Sequence, residues 1–252
     1  MTTRLQRAVQ DREFLITAEI TPPKGGNASH MLEMALWLKN RVHAANITDG
    51  SRAVVRMSSL AASAILYQHD IEPICQIACR DRNVIGLQAD LMGAHALGLR
   101  NILALTGDPV KAGDHPKARA VFDLESVRLL KLIDKLNKGF DFNDKSLPDG
   151  RLELFAGAAV DVQSKSWSGL QSRFERKIEA GAQFFQSQLV TDFDCLDKFM
   201  QQVASLAALL GPPPPPSDVS STGSPTHRRR ALRELLAGCL PACLPGWAGG
   251  GR

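Results

Sequence analysis

Short apolar runs alternate with helix-type patterns along most of this chain, and this alternation is its strongest structural constraint. Each run holds five to eight residues, whereas the segments between them place apolar residues three and four positions apart, as in Met31, Ala35 and Leu38. The runs predict six strands, over residues 14–21, 44–48, 74–78, 101–106, 154–159 and 184–190. The intervening patterns predict helices, among them 59–67, 84–97, 123–137, 170–180 and 195–210.

Strands that alternate with helices predict a parallel sheet covered by helices. No dinucleotide-binding glycine fingerprint follows these strands, which favours a barrel over an open sheet. A closed (β/α)₈ barrel needs eight units and typically about 250 residues. We therefore expect an α/β fold of the (β/α)₈ TIM-barrel type, incomplete, with about six βα units in a domain of residues 1–210.

The character of the sequence changes at Gly211, which is followed by five prolines and then by a polar, glycine-punctuated stretch. Proline removes the backbone donor that a strand needs, and no apolar run of strand length follows. Residues 211–252 are therefore expected to form a disordered tail rich in Pro, Gly and Arg. This tail also holds most of the net charge of +4, so the body is nearly neutral and no nucleic-acid partner is expected.

Charged residues interrupt the first thirteen positions, so no secretory leader is expected, and no apolar run is long enough for a membrane span. The cysteines are odd in number: Cys75, Cys79, Cys195, Cys239 and Cys243. This count favours a reduced, cytoplasmic protein. Cys75 and Cys79 have no histidine nearby, so no metal site is predicted.

Polar residues fall where the predicted strands end: Glu19, Thr48, Gln76, Asp108 and Gln188. In a barrel the carboxyl ends of the strands meet at one rim, where catalytic residues collect. Burial of Glu19 in its apolar run would favour the protonated form, which suits a general acid. The alternative is an outward-facing glutamate paired with a lysine of a neighbouring helix.

The segment from Thr106 to Pro109 has the composition of a tight turn after the fourth strand. Gly107 would let the backbone approach a flat ligand closely. The Asp108 carboxylate beside such a ligand would disfavour negative charge on it. A plain Asp-Pro turn without a ligand is the alternative.

Three segments together resemble the methylenetetrahydrofolate reductase family. Residues 18–23 (AEITPP) are similar to its Glu-x-x-Pro-Pro motif in the first strand, and residues 103–108 (LALTGD) to its Ala-Leu-x-Gly-Asp motif. Residues 176–182 (RKIEAGA), followed by Gln188, are similar to its Lys-x-x-x-Gly-Ala…Gln segment. Each motif alone is weak, but their order and spacing together are specific.

The resemblance implies bound FAD and reduction of 5,10-methylenetetrahydrofolate to 5-methyltetrahydrofolate, with electrons from NAD(P)H or a partner donor. It implies that Glu19 is the acid that helps open the folate ring, that Asp108 lies between flavin and folate, and that Gln188 binds the pterin. The remaining implied contacts are to FAD: Thr48, Gln76, Thr106 and Gly107 at the flavin, and Lys177 with Arg176 near its phosphates or ribityl chain.

The sequences of residues 45–50 and 120–123 are most similar to those of the short reductases of anaerobes and of the reductase half of homocysteine methyltransferase fusions. Gln76 replaces a histidine of many relatives, and Gly157 and Asp161 replace a tyrosine and a histidine. Family members continue with two further barrel units, where this chain has its proline-rich segment. The alternatives are therefore a flavin-binding subunit that needs a partner chain, with an oligomer or hetero-complex expected, or an inactive truncated fragment.

Overall fold

The computed structural model describes residues 2–209, with side-chain surroundings through residue 203. Six parallel strands form one sheet in the order β1-β2-β3-β4-β5-β6, so each strand neighbours the next one in sequence. The predicted tail lies outside the described residues. In chain order the elements are α1 Arg4–Gln10, β1 Thr17–Ile20, α2 Ser29–Leu38, β2 Ala44–Ile47, α3 Ser59–Tyr67, β3 Pro73–Ala78, α4 Val84–Ala96, β4 Asn101–Leu105, α5 Ser126–Asn137, β5 Phe155–Val160, α6 Trp167–Glu179, β6 Phe184–Ser187 and α7 Phe193–Leu209.

The helices begin at residues that satisfy their free backbone donors. The Asn83 side chain accepts a hydrogen bond from Gly86 N at the start of α4, and Ser58 and Ser166 do the same for α3 and α6. Helices α4 and α6 are followed by Gly98 and Gly181 at φ +88° and +100°, where a side chain is disfavoured. These local signals explain why the predicted helix boundaries lie within a few residues of the observed ones.

The sheet packs its outer face against the helices in the main apolar core. Helix α5 contributes Leu129, Leu132, Ile133 and Leu136, each at most 1% exposed. Their three- and four-residue spacing places them on one side of the helix, against β3 to β5. This core fixes the sheet from outside and leaves the opposite face free to form a site.

Helix α1, which the sequence patterns did not predict, closes the amino-terminal end of the sheet. Its Leu5 and Val9 pack with residues near the strand starts: Ala44, Ile74, Leu103, Phe155 and Phe184. The Glu72 carboxylate accepts hydrogen bonds from the backbone N–H groups of Arg4 and Leu5, at 2.7 and 2.8 Å. The helix therefore forms an apolar floor beneath the inner face of the sheet.

The sheet curls around this floor, since the inner face of every strand contributes to one cavity. Two-residue alternation selects those side chains, for example Thr17 and Glu19 on β1, or Ile74, Gln76 and Ala78 on β3. Among the described residues, β1 and β6 each have a neighbour on one side only. The architecture is the predicted one, an incomplete barrel of six βα units.

None of the helices in the described part of the chain combines the length and apolar character needed to span a membrane.

Candidate functional site

The inner face of the sheet and the loops after its strands enclose a cavity of about 1310 Å³. Small-molecule sites typically measure about 300–1,000 Å³, so this cavity has room for two flat ring systems. Seven of the nine residues predicted from the sequence line it: Glu19, Thr48, Gln76, Thr106, Gly107, Asp108 and Gln188. Residues distant in the sequence are therefore brought together at one opening.

Glu19 points inward from β1, so an outward pairing with a helix lysine is wrong. The expectation that the strand buries Glu19 is also wrong, because its side chain is exposed. The physical reason is its place in the sheet: β1 is an edge strand, and no described element covers its far side. The carboxylate therefore faces an open interior instead of a closed apolar one.

Thr48 and Gln76 lie on the cavity wall and are 3% and 8% exposed. The Thr48 backbone N–H donates to Ile20 O at 3.2 Å, which fixes the end of β2 against β1. Its hydroxyl oxygen is buried and has no hydrogen-bond partner among the described residues. A buried polar atom without a partner is costly in a folded protein, so this hydroxyl is available to a ligand.

Thr106 and Gly107 line the cavity and also shape the backbone around it. The Thr106 hydroxyl accepts a hydrogen bond from Ser126 N at 3.1 Å, which holds the start of α5. Gly107 has φ +95°, and a Cβ there would lie 2.9 Å from Arg80 Cβ and 3.2 Å from Ala78 Cβ. Gly107 therefore lets the loop after β4 approach the end of β3.

Asp108 connects the loops that follow β4 and β2. Its Oδ2 accepts a hydrogen bond from the backbone N–H of Arg52 at 2.7 Å. Arg52 and Ala53 have φ +56° and +55°, a left-handed conformation that costs about 1–2 kcal/mol for residues other than glycine. Asp108 thus helps to hold a strained turn at the rim of the cavity.

Gln188 follows β6, and its backbone N–H donates to Val160 O at 2.9 Å. Arg176 and Lys177 lie in the last turn of α6 and do not line the cavity. The Lys177 ammonium group reaches the carbonyl oxygen of Ala159, a residue of the cavity wall, at 2.7 Å. Burial, together with the nearby Arg173, lowers the pKa of Lys177.

Sequence reasoning missed a charged network beneath the rim. The Arg80 side chain is 5% exposed and lines the cavity; it donates to Gly50 O at 3.0 Å and to the Asp81 carboxylate, which raises its pKa. Arg82 pairs with Asp49 at 2.6 Å, and Asp49 also accepts from Ala78 N. The run of charges directly after an apolar strand was the available signal.

Residues 4–210 match the family model described as methylenetetrahydrofolate reductase, which covers most of the chain. The chain belongs to this family. Methylenetetrahydrofolate reductase 2 of Schizosaccharomyces pombe is 29% identical over 154 residues, which cover 60% of this chain and 23% of that protein. The match therefore spans less than a quarter of the relative's length.

Among solved structures, the chain is similar to two crystal forms, triclinic and trigonal, of 2,3-dimethylmalate lyase, a PEP mutase/isocitrate lyase superfamily member. Each has a TM-score of 0.53 and 13% sequence identity over 81% of this chain, covering 69% and 68% of those chains. At this identity the likeness establishes the fold alone, and it confirms the predicted α/β barrel class.

The packing of Phe184 explains why this chain has a glycine at position 157, where many relatives in the reductase family have a tyrosine. A Cβ on Gly157 would collide with the ring of Phe184, which stacks on Phe155 with centroids 5.1 Å apart. A tyrosine at this position would therefore require Phe184 to move. Asp161, the other departure on this side, accepts a hydrogen bond from Gln163 N in the turn after β5.

Proposed function

We propose that this chain catalyses the FAD-dependent reduction of 5,10-methylenetetrahydrofolate to 5-methyltetrahydrofolate. The observation that supports this most strongly is the convergence of Glu19, Asp108 and Gln188 on one cavity of about 1310 Å³. The three residues come from different strands or strand ends, within the segment that matches the reductase family. Such a cavity suits two planar ligands that must meet face to face for hydride transfer.

The residues present fit an isoalloxazine ring. The buried Thr48 hydroxyl has no partner, and the Gln76 amide, 8% exposed, lines the same wall. We propose that these two groups, with Thr106 and Gly107, contact the flavin, and that Lys177 and Arg176 lie near its phosphates or ribityl chain. Lysine and arginine suit that position because they carry fixed positive charge and several donors.

FAD, when bound, would supply the hydride. Glu19 would donate the proton that opens the imidazolidine ring of the folate. Asp108 would place negative charge between the two ligands, where it disfavours further negative charge on the flavin. Gln188 would orient the pterin by hydrogen bonds from its amide.

We further propose that the electrons come from NAD(P)H or from a partner donor, and that the protein works in the cytoplasm. Cys75, Cys79 and Cys195 are free thiols. Burial raises the pKa of Cys75 to about 11, so this thiol is neutral and unreactive at physiological pH. Such inert, unpaired cysteines are typical of a reducing compartment.

The test is a half-reaction with purified protein. The chain is loaded with FAD, the flavin is reduced chemically without oxygen, and 5,10-methylenetetrahydrofolate is added while flavin absorbance is followed. The absorbance of oxidised flavin should return, and Glu19→Gln should slow that return by about 100-fold or more, the usual effect of losing a general acid.

The matched control is Glu33→Gln, which changes a carboxylate of α2 that is 73% exposed and outside the cavity. The flavin bound to Glu33→Gln should reoxidise at the same rate as the flavin bound to the unmodified chain. Failure to bind FAD, or equal rates for Glu19→Gln and the unmodified chain, would refute the proposed reaction.

A second candidate is a flavin-binding subunit that turns over only with a partner chain. Two features favour it. In the described residues β1 and β6 lack an outer neighbour, and large apolar side chains flank both strands: Phe14 is 64% exposed, Leu189 84% and Phe193 70%. FAD binding without reoxidation by the folate, followed by reoxidation when a co-purified partner is added, would select this candidate over the first.

A further inference from the structure

Two neighbouring positions on the inner face of the sheet carry buried polar atoms without partners. Asn46 on β2 is 9% exposed, and Thr48, two residues later on the same face, is 3% exposed. Within the described part of the chain, neither Asn46 Oδ1 nor Thr48 Oγ1 has a hydrogen-bond partner. The same holds for Oε1 of Gln186 on β6, and all three side chains line the cavity.

Elsewhere the fold satisfies a buried asparagine fully. The Asn101 amide, 1% exposed on β4, donates to Glu72 Oε1 at 2.9 Å and to Pro73 O at 3.1 Å, and accepts from the Thr3 hydroxyl at 2.8 Å. Buried polar groups in folded proteins are paired in the great majority of cases. An unpaired amide that faces a cavity therefore indicates a group that is satisfied by what the cavity holds.

Asn46 and Gln186 lie just above the floor of the cavity. Asn46 is the register partner of Glu19 on β1, so the two side chains stand next to each other on the wall. Gln186 is two residues after Phe184, which belongs to the apolar floor with Leu5 and Val9. Glu19, Asn46 and Gln186 therefore form a polar tier, named here the lower tier, between that floor and the rim.

The unpaired atoms of the lower tier are acceptors. Asn46 Oδ1 and Gln186 Oε1 are carbonyl oxygens, which can only accept hydrogen bonds. The tier therefore requires a ligand with several N–H donors. An isoalloxazine ring carries one ring N–H, whereas a reduced pterin carries an amino group, a lactam N–H and further ring N–H groups.

We propose that Asn46 and Gln186 bind the substrate, with their side-chain carbonyl oxygens accepting hydrogen bonds from the N–H edge of the reduced pterin beside Glu19. This inference rests on the proposed function. It places the pterin subsite of the cavity in the lower tier. Asn46 and Gln186 select the folate, while the flavin contacts the neighbouring part of the wall that carries Thr48, Gln76, Thr106 and Gly107.

The test compares Asn46→Leu with the unmodified chain, using FAD and 5-methyltetrahydrofolate as separate probes in calorimetric titrations. Leucine keeps the branched shape of asparagine at Cγ, although it is larger, and removes the unpaired oxygen. Asn46→Leu should therefore unfold at a higher temperature without ligand, bind FAD unchanged, and bind 5-methyltetrahydrofolate about five- to tenfold more weakly. Gln186→Leu should show the same pattern.

The matched control is Asn137→Leu. The Asn137 amide is outside the cavity and is paired with the backbone of Leu154, donating to its O and accepting from its N, both at 2.9 Å. This variant should unfold at a lower temperature and bind 5-methyltetrahydrofolate normally. It shows that the stability gain at position 46 comes from removing an unpaired group and is not a general effect of leucine.

Equal affinity of Asn46→Leu and the unmodified chain for 5-methyltetrahydrofolate would overturn the inference and leave the proposed function intact. A lower unfolding temperature for Asn46→Leu would overturn it too, because it would assign the amide a structural role. If the unmodified chain binds neither FAD nor 5-methyltetrahydrofolate, the proposed function itself fails, and the pterin subsite fails with it.

Discussion

Glu19 and Asp108 are carboxylates on the wall of one cavity, yet their surroundings differ. Asp108 accepts a hydrogen bond from a strained turn, which ties its position to the loops after β2 and β4. Glu19 stands on an edge strand, next to an unpaired asparagine. One carboxylate is thus held by the protein, whereas the other faces the open interior of the cavity.

Gly107 is the residue whose replacement should disturb the rim most directly. Gly107→Ala would force a side chain into φ +95° and bring its Cβ within 2.9 Å of Arg80 Cβ. We expect a loss of about 1–3 kcal/mol in the free energy of unfolding, measured by urea titration, together with weaker FAD binding. Gly25→Ala, with nothing within 4 Å, is the control and should leave both quantities unchanged.

Asp114 makes the rim sensitive to acid. Its carboxylate accepts from Lys24 Nζ at 2.5 Å, from His115 and from Val55 N, and these hydrogen bonds, that of Lys24 foremost, hold the pKa of Asp114 well below its ordinary value of 3.8. The folded pKa is thus below the unfolded one. The ionised group stabilises the fold above the unfolded pKa, and this contribution is lost as pH falls toward the folded pKa.

Asp114→Asn should therefore be less stable than the unmodified chain at neutral pH, and the difference should shrink as the pH falls below about 4. Urea unfolding at a series of pH values measures this. A difference between the two proteins that stays constant from neutral to acid pH would argue against the assigned role of Asp114.

At the scale of elements, α1 closes the amino-terminal end of the curled sheet and forms the floor of the cavity. Leu5 is 2% exposed and packs among the strand starts in the floor cluster. Leu5→Ala should cost about 2–5 kcal/mol in the free energy of unfolding, because it removes buried methyl groups and leaves a cavity. Arg7→Ala, on the exposed side of the same helix, should change stability by at most about 0.5 kcal/mol.

The same elements show what the sequence could predict. Six strands and the helices after them were evident, because periodicity, N-caps such as Asn83 and glycines such as Gly98 are local signals. Helix α1 was missed, although Leu5, Ala8 and Val9 have helical spacing after the capping residue Thr3. Its seven residues stabilise little by themselves, and the packing that holds them involves residues far along the chain.

The site was predicted in part, for a related reason. Residues at strand ends converge in any barrel, so the place of Thr48, Gln76 and Gln188 on one cavity wall could be predicted without a structure, whereas their roles stay predictions. The exposure of Glu19 was not predicted, because it depends on which strands lie at the edges of the sheet. Asn46 has an unpaired oxygen only in relation to its spatial neighbours, which no local pattern reveals.

For the molecule as a whole, the open cavity is expected to couple the free energy of unfolding to ligand binding. A ligand that fills the cavity as proposed would satisfy its unpaired polar atoms and so stabilise the fold. FAD at about 100 times its Kd should raise the free energy of unfolding by about 2.7 kcal/mol. Thermal unfolding with and without FAD measures this, and an unchanged midpoint at saturating FAD would contradict a flavin site in this cavity.

The most direct test of the account is a crystal structure of the chain with FAD. The account predicts that the isoalloxazine ring lies in the cavity within hydrogen-bond distance of Thr48 and Gln76, with the Asp108 and Glu19 carboxylates around the same opening. Ring density outside the cavity, or within it but out of reach of both Thr48 and Gln76, would contradict it.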